Sequence, residues 1–259
     1  MLVVRKEQIE TLSGVAATGF ANELVEHVKK FSPRHAQAVG DDAIRKSVDL
    51  GLERSRSYGF TKRGTVRFFV ELMVMFGRDF DTDPMLPWAN GVLTNESIKL
   101  EMERADILHD EMMAYLDQTA GRDNEYLFSA LRKLERARLE DFQSQGGSFD
   151  GAVRSGLKNI YPQKYDYVGE DIINGLIDRG KGAAAARSVT SPHGAALFIV
   201  LLFELGHGIF DDPLYPWVSQ TLDDESIGDP DERVQRLQAR LKAYLDQTLK
   251  NLGQETTNG

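Results

Sequence analysis

The chain has 259 residues, 41% of them hydrophobic and 27% charged, with a formal net charge of −9 and no cysteine. That length suits one large or two small domains, and the composition argues against wholesale disorder. Disulfides, thiolate metal sites and a cysteine nucleophile are excluded. No clustered Lys/Arg stripe is present to displace phosphate counterions, so nucleic acid is not an expected partner. The acidity divides as −5 over residues 1–129 and −4 over 130–259. A basic partner is therefore favoured by the whole surface, not by a tail. Met1 to Glu10 lack the apolar core of a signal peptide. The most apolar run, Ala195 to Phe203, is about half of the roughly 20 residues that a membrane span needs. A cytoplasmic location is the expectation.

In chain order, the periodicity predicts a first helix from Lys6 to Phe31, with Phe20, Leu24, Val28 and Phe31 at helical spacing. Pro33 ends it, because proline disfavours helix in the residue before it. A loop is expected up to Gly40, then a helix capped by Asp41 or Asp42 and bearing Ile44, Val48 and Leu52. Tyr58-Gly59-Phe60-Thr61 reads as a glycine stop followed by a threonine cap. The helix from Val66 to Phe76 is apolar on nearly every side and belongs in the middle of a bundle. Asp83 is then a good N-cap, with Pro84 at the first helical position. Trp88 on this short helix should lock it onto the central one, a burial worth a few kcal/mol at roughly 25 cal/mol per Å². A helix follows from about Glu96 to Thr119, with Leu108, Met112, Tyr115 and Leu116 facing inward.

Ala120 to Asn124 reads as a hinge. Beyond it come an amphipathic helix from Glu125 to about Phe142, a break at Gly146-Gly147, and a further helix from Phe149 to Ile160. A second apolar central helix runs from Gly194 to Leu205, just after Pro192. The last helix, about Pro230 to Leu252, carries Val234, Leu237, Leu241, Tyr244 and Leu245. No β-alternating run or Asn-Gly hairpin signal is found in either half, so the fold class is all-α.

One motif organises the rest. Asp83-Pro84-Met85-Leu86-Pro87-Trp88 returns as Asp212-Pro213-Leu214-Tyr215-Pro216-Trp217, and these hold the only two tryptophans. Each copy follows a glycine, Gly77 or Gly206, that closes an apolar run. The shift that carries Asp83 to Asp212 also pairs Pro33 with Pro162, Gly51 with Gly180, Phe69 with Phe198 and Glu103-Arg104 with Glu232-Arg233. It returns Ala114–Thr119 whole as Ala243–Thr248. A period this long means two whole units, not a solenoid array. The expectation is a tandem duplication of a roughly five-helix unit, residues 1–122 and 123–252, packed as a pseudo-two-fold pair with a polar tail at 253–259.

Candidate chemistry is sparse. Asp79, Asp81 and Asp83 have calcium-loop spacing, but Pro84 stands where the loop needs glycine and Asn90 where it needs the bidentate glutamate. No metal or cofactor is expected. Glu204 and His207 could share a helix face as an acid–base or metal-ligand pair, with a carboxylate such as Asp211. That is the alternative reading, a small helical hydrolase or metal-dependent enzyme. No P-loop, GxGxxG, GxSxG or HExxH pattern is present. What both units keep are core, cap and turn residues, as a scaffold would.

Arg5-Lys6-Glu7-Gln8, Tyr58-Gly59-Phe60-Thr61, Phe76-Gly77 and Phe80-Asp81-x-Asp83-Pro84-x-x-Pro87-Trp88-Ala89 together resemble a bacterial family of small helical proteins. Its members are encoded among type VI secretion effectors and polymorphic toxins. The resemblance covers most of the first unit and fades in the second, where Arg187-Ser188 replaces Tyr-Gly. It implies an immunity protein, adaptor or chaperone and supplies no catalytic residues. The expected function is therefore non-enzymatic binding of a toxin or effector with a basic surface; a homo-oligomer is compatible with it. The diverged loops are the expected contact residues: Arg78, Asp79 and Asp81 in the first unit, and His207, Asp211, Asp223, Asp224, Asp229 and Asp231 in the second. Asp83, Pro84, Pro87 and Trp88, with Asp212, Pro213, Pro216 and Trp217, are expected to be structural.

Overall fold

The computed structural model describes residues 6–138, 142 and 147–255. Among them are thirteen α-helices and no strand. The first six are α1 (Lys6–Phe31), α2 (Pro33–Val39), α3 (Asp41–Ser57), α4 (Arg63–Phe76), α5 (Pro87–Leu93) and α6 (Glu101–Thr119). After a tight turn come α7 (Glu125–Arg136), α8 (Phe149–Ile160), α9 (Pro162–Val168), α10 (Glu170–Ala185), α11 (Pro192–Leu205), α12 (Pro216–Leu222) and α13 (Pro230–Glu255). No described helix is long and apolar enough to cross a membrane.

The shift that relates the two motifs also carries both ends of α2, α4 and α5 onto the ends of α9, α11 and α12. Packing follows the same register: α3 lies on α4 as α10 lies on α11, and α5 lies on α6 as α12 lies on α13. The close approach within the first of these pairs depends on glycine. A Cβ on Gly51 would meet Val70 Cγ2 at 2.7 Å, and one on Gly180 would meet Ile199 Cγ1 at 2.4 Å and the Ile199 backbone at 3.1 Å. Two apolar clusters result. Ile44, Phe69 and Leu72 centre the first, while Ile173, Phe198 and Leu201 centre the second. Met85, from the first motif, packs in the second cluster.

Several predicted boundaries move, each for a local reason. Residues 33–39 form α2 and not a loop, because Pro33 ends α1 and also occupies the first turn of the next helix. Phe31, the last residue of α1, is 42% exposed and does not join the inner face. Gly40 is the N-cap of α3, so Asp41 and Asp42 lie in its first turn against the helix dipole instead of capping it. Thr61 caps nothing: its N–H and hydroxyl donate to Glu101 Oε2 at 2.6 and 3.2 Å, and α4 starts at Arg63. The helix after the motif starts at Pro87, not Pro84. Asp83 Oδ1 instead accepts from the Met85 N–H at 2.8 Å, and Asp212 Oδ1 from the Leu214 N–H at 2.9 Å, closing an Asx turn ahead of each helix. A similar turn at Asn95, accepting from the Ser97 N–H at 2.9 Å, delays α6 to Glu101. The helix α7 ends at Arg136, short of Phe142, and α13 runs through Glu255 into the expected tail. Gly146 and residues 256–259 lie outside the described residues.

Candidate functional site

Where the two motif loops meet, each holds the other. Asp212 Oδ2 accepts the Arg78 N–H at 2.8 Å, and Asp83 Oδ2 accepts the His207 N–H at 2.9 Å. Arg78 and His207 themselves correspond in the repeat register, so the two bonds are reciprocal. Both carboxylates are 2% exposed. The backbones come too close here for any side chain. Gly77 (φ 94°) would place a Cβ 3.0 Å from the Leu205 carbonyl, and Gly206 (φ 93°) would place one 2.8 Å from the Phe76 carbonyl. Burial pushes the Asp212 carboxyl up to about 6, against the pull of the amide bonds from Leu214 and Arg78.

The acidic loop beside this clasp is neutralised from within. The Arg54 guanidinium bridges Asp79 and Asp81 and donates to the Arg78 carbonyl at 2.8 Å. The Tyr58 hydroxyl donates to Asp81 Oδ2 at 2.8 Å, and burial first, then Asp81, pushes that phenol up to about 12. His207 is set against this loop. Nε2 stands 3.3 Å from Thr82 Oγ1 and 3.9 Å from Asp79, and Nδ1 stands 3.9 Å from Asp83. Burial lowers its pKa, with Asp83 opposing.

The structure thus gathers Arg78, Asp79, Asp81 and His207, and Asp211 joins them by accepting from Arg78 Nη1 at its carbonyl, at 2.7 Å. The expectation that this cluster forms a free contact surface needs correction at Asp81, which is 1% exposed and fully engaged. A buried carboxylate paired with arginine holds the loop's shape and is not open to a partner. Asp223, Asp224, Asp229 and Asp231 lie elsewhere, on the segment entering α13. Asp224 accepts from Ser226, and Asp231 from Ser191 at 2.9 Å. The motif tryptophans share a ring arrangement, Trp88 with Tyr115 and Trp217 with Tyr244, both at 6.0 Å between centroids. Trp88 is buried and Trp217 half-buried. Pro87 and Pro216 begin their helices, while Pro84 and Pro213 fill the turns ahead of them.

Beneath the clasp lies a cavity of about 430 Å³, walled by α4, α6, α7, α9, α11 and α13. Phe76, Met85, Leu127, Leu131 and Leu241 make it largely apolar. Lys164 from α9 and Glu204 from α11 face it, and Asp83 of the clasp is also part of its lining. Lys164 donates from Nζ to the Phe203 carbonyl and lies 5.1 Å over the Phe203 ring. Burial lowers its pKa, with Glu204 the main opposing charge. Glu204 Oε1 is enclosed and has no hydrogen-bond partner, and the residue lines the cavity. Burial pushes this carboxyl up to about 7, with Lys164 pulling it back. At the wall, the Tyr161 hydroxyl donates to the Thr119 carbonyl at 3.0 Å.

The proposed trio of Glu204, His207 and Asp211 is not assembled. The helix α11 stops at Leu205, and Gly206 turns the chain at φ 93°, so no shared face survives. Glu204 lines the cavity, while His207 and Asp211 do not. Among the described residues, no group of three or more His, Asp or Glu side chains is placed to hold a metal ion. Sequence reasoning missed Lys164, Arg54 and Met85. The one visible signal was Glu204 itself, a carboxylate inside the run Leu201-Leu202-Phe203-Glu204-Leu205. Comparison of the chain with known families, with curated proteins and with solved structures found no match.

Proposed function

We propose that the chain is a tandem duplication of one helical unit and works as a non-enzymatic protein-binding module in the cytoplasm, an immunity protein, adaptor or chaperone for a secreted bacterial toxin. The toxin context comes from the motif resemblance. One observation carries the binding role: the two units keep a common scaffold but differ in what they expose at corresponding positions. Leu100 and Met102, at the start of α6, are 68% and 47% exposed. Their counterparts in the repeat register are Asp229 and Asp231, also exposed. With Asp223, Asp224 and Glu225 they form an acidic edge, while Asp79 and Asp81 are neutralised internally by Arg54. An acidic edge of this kind suits a partner with a basic surface and speeds the encounter.

Co-expression with each candidate toxin encoded by the neighbouring genes, followed by affinity capture and a growth-protection assay, tests the reading. Capture that falls at least tenfold on Asp229→Lys with Asp231→Lys, or on Leu100→Glu with Met102→Glu, supports it. A chain that captures no effector and protects no cell ends it.

A further inference from the structure

We propose that the cavity beneath the clasp is a binding site for a small uncharged amphiphile, an apolar body bearing one alcohol or primary amide head that Glu204 and Lys164 hold. This site is independent of the protein-binding role.

The size comes first. About 430 Å³ falls within the roughly 300–1,000 Å³ of small-molecule sites, and such sites combine apolar walls with a few converging polar groups. Phe76, Met85, Leu127, Leu131 and Leu241 supply the walls. The rim includes Met75, 42% exposed, and Asn124, so the cavity reaches the surface.

The polar end is the stronger argument. An enclosed carboxylate oxygen without a partner forfeits a hydrogen bond, and a donor brought in by a ligand would restore it. Lys164 uses one N–H on the Phe203 carbonyl, which leaves donors for the cavity it faces. The corresponding helices of the first half form without either residue. Their counterparts in the repeat register are His35 and Met75, and α2 and α4 form there with the same relative bounds as α9 and α11. Two buried opposite charges often stabilise a fold less than apolar replacements of similar volume do. A pair without a counterpart in the first half, facing an apolar cavity, is therefore best explained by what it contacts.

The head chemistry follows from the two groups together. A hydroxyl or primary amide donates to the Glu204 carboxyl and accepts from Lys164 Nζ at once. Above about pH 7, where Glu204 is ionised, a carboxylate head would meet its charge, and an ammonium head would meet Lys164, where little water screens the repulsion.

Isothermal titration of the intact chain at pH 8 with 1-nonanol, nonanamide, nonanoate and nonylamine tests the assignment. The alcohol and the amide should each bind saturably at one equivalent. Glu204→Leu should weaken both at least tenfold, Glu204→Gln, which keeps an acceptor oxygen, no more than about threefold, and Leu131→Trp should abolish uptake by filling the wall. Circular dichroism checks that each variant is folded. No saturable uptake of the alcohol or amide, uptake unchanged in both Glu204→Leu and Leu131→Trp, or tighter binding of nonanoate or nonylamine overturns it.

Discussion

Glu204 titrates in a range where most carboxylates are already ionised, and the sign of its effect on stability is fixed by that. Its folded pKa is raised from the ordinary 4.5 to about 7, so the native state holds a proton that the unfolded chain has released. Stability therefore declines as pH rises from about 4.5 to 7 and levels off above that, by about 3 kcal/mol at most. Asp212, raised to about 6, adds a decline of the same sign in a lower window. Urea midpoints at pH 5 and pH 8 should thus differ less in Glu204→Gln than in the parent chain. An unchanged difference would show that the carboxyl is not enclosed. A second residue-scale case is Ser188, whose φ of 60° places an L side chain in the left-handed region. Its counterpart in the repeat register is Gly59, at φ 79°. Ser188→Gly should raise stability by about 1 kcal/mol, and Gly59→Ser should lower it by a similar amount, read from thermal melts. The sequence showed the Arg-Ser for Tyr-Gly exchange but not its strain, because a dihedral angle is set by the turn and not by the residue names.

Among the helices, the apolar runs made α4 and α11 legible, and helical periodicity placed α3 and α13. The short helices α2 and α9 are not legible as such, since about two proline-led turns carry too little periodicity to count. Asp83 reads as a helix cap in sequence, a role that an Asx turn just upstream of a helix imitates. What composition alone could not reveal is how closely α3 and α10 approach their neighbours. Gly180→Ala should cost about 1–3 kcal/mol by overpacking, because the new methyl meets the Ile199 backbone as well as its side chain. Gly51→Ala should cost less, since Val70 Cγ2 and Met73 Sδ are its nearest neighbours and side chains can shift. Denaturant titration of the two variants orders them; equal costs would remove the backbone argument.

For the whole molecule, the repeated motif pointed to two halves but not to their grip on each other, nor to a cavity between them. Those contacts join positions far apart in the chain and leave no local pattern, as the Asp83 bond to His207 illustrates. Asp83→Ala strips the acceptor from two amides, those of Met85 and His207, and should cost about 2–4 kcal/mol. Asp212→Ala should cost about as much by the same count, from Leu214 and Arg78. With Met85 seated in the second core as well, the halves should unfold together. Variants retaining a single indole, Trp217→Phe to watch the first half and Trp88→Phe to watch the second, should give coincident urea transitions. Separated midpoints would show halves that stand without each other.

A donor amide and an acceptor carboxylate, both supplied by each half and each fitted to the other's opposite, make that contact self-complementary. Two identical halves on separate chains would satisfy the same pair of bonds about a two-fold axis, which is the defining property of an isologous homodimer. Each half carries both members of that pair of bonds, and in the intact chain the short link through Gly121 makes their encounter intramolecular and independent of concentration.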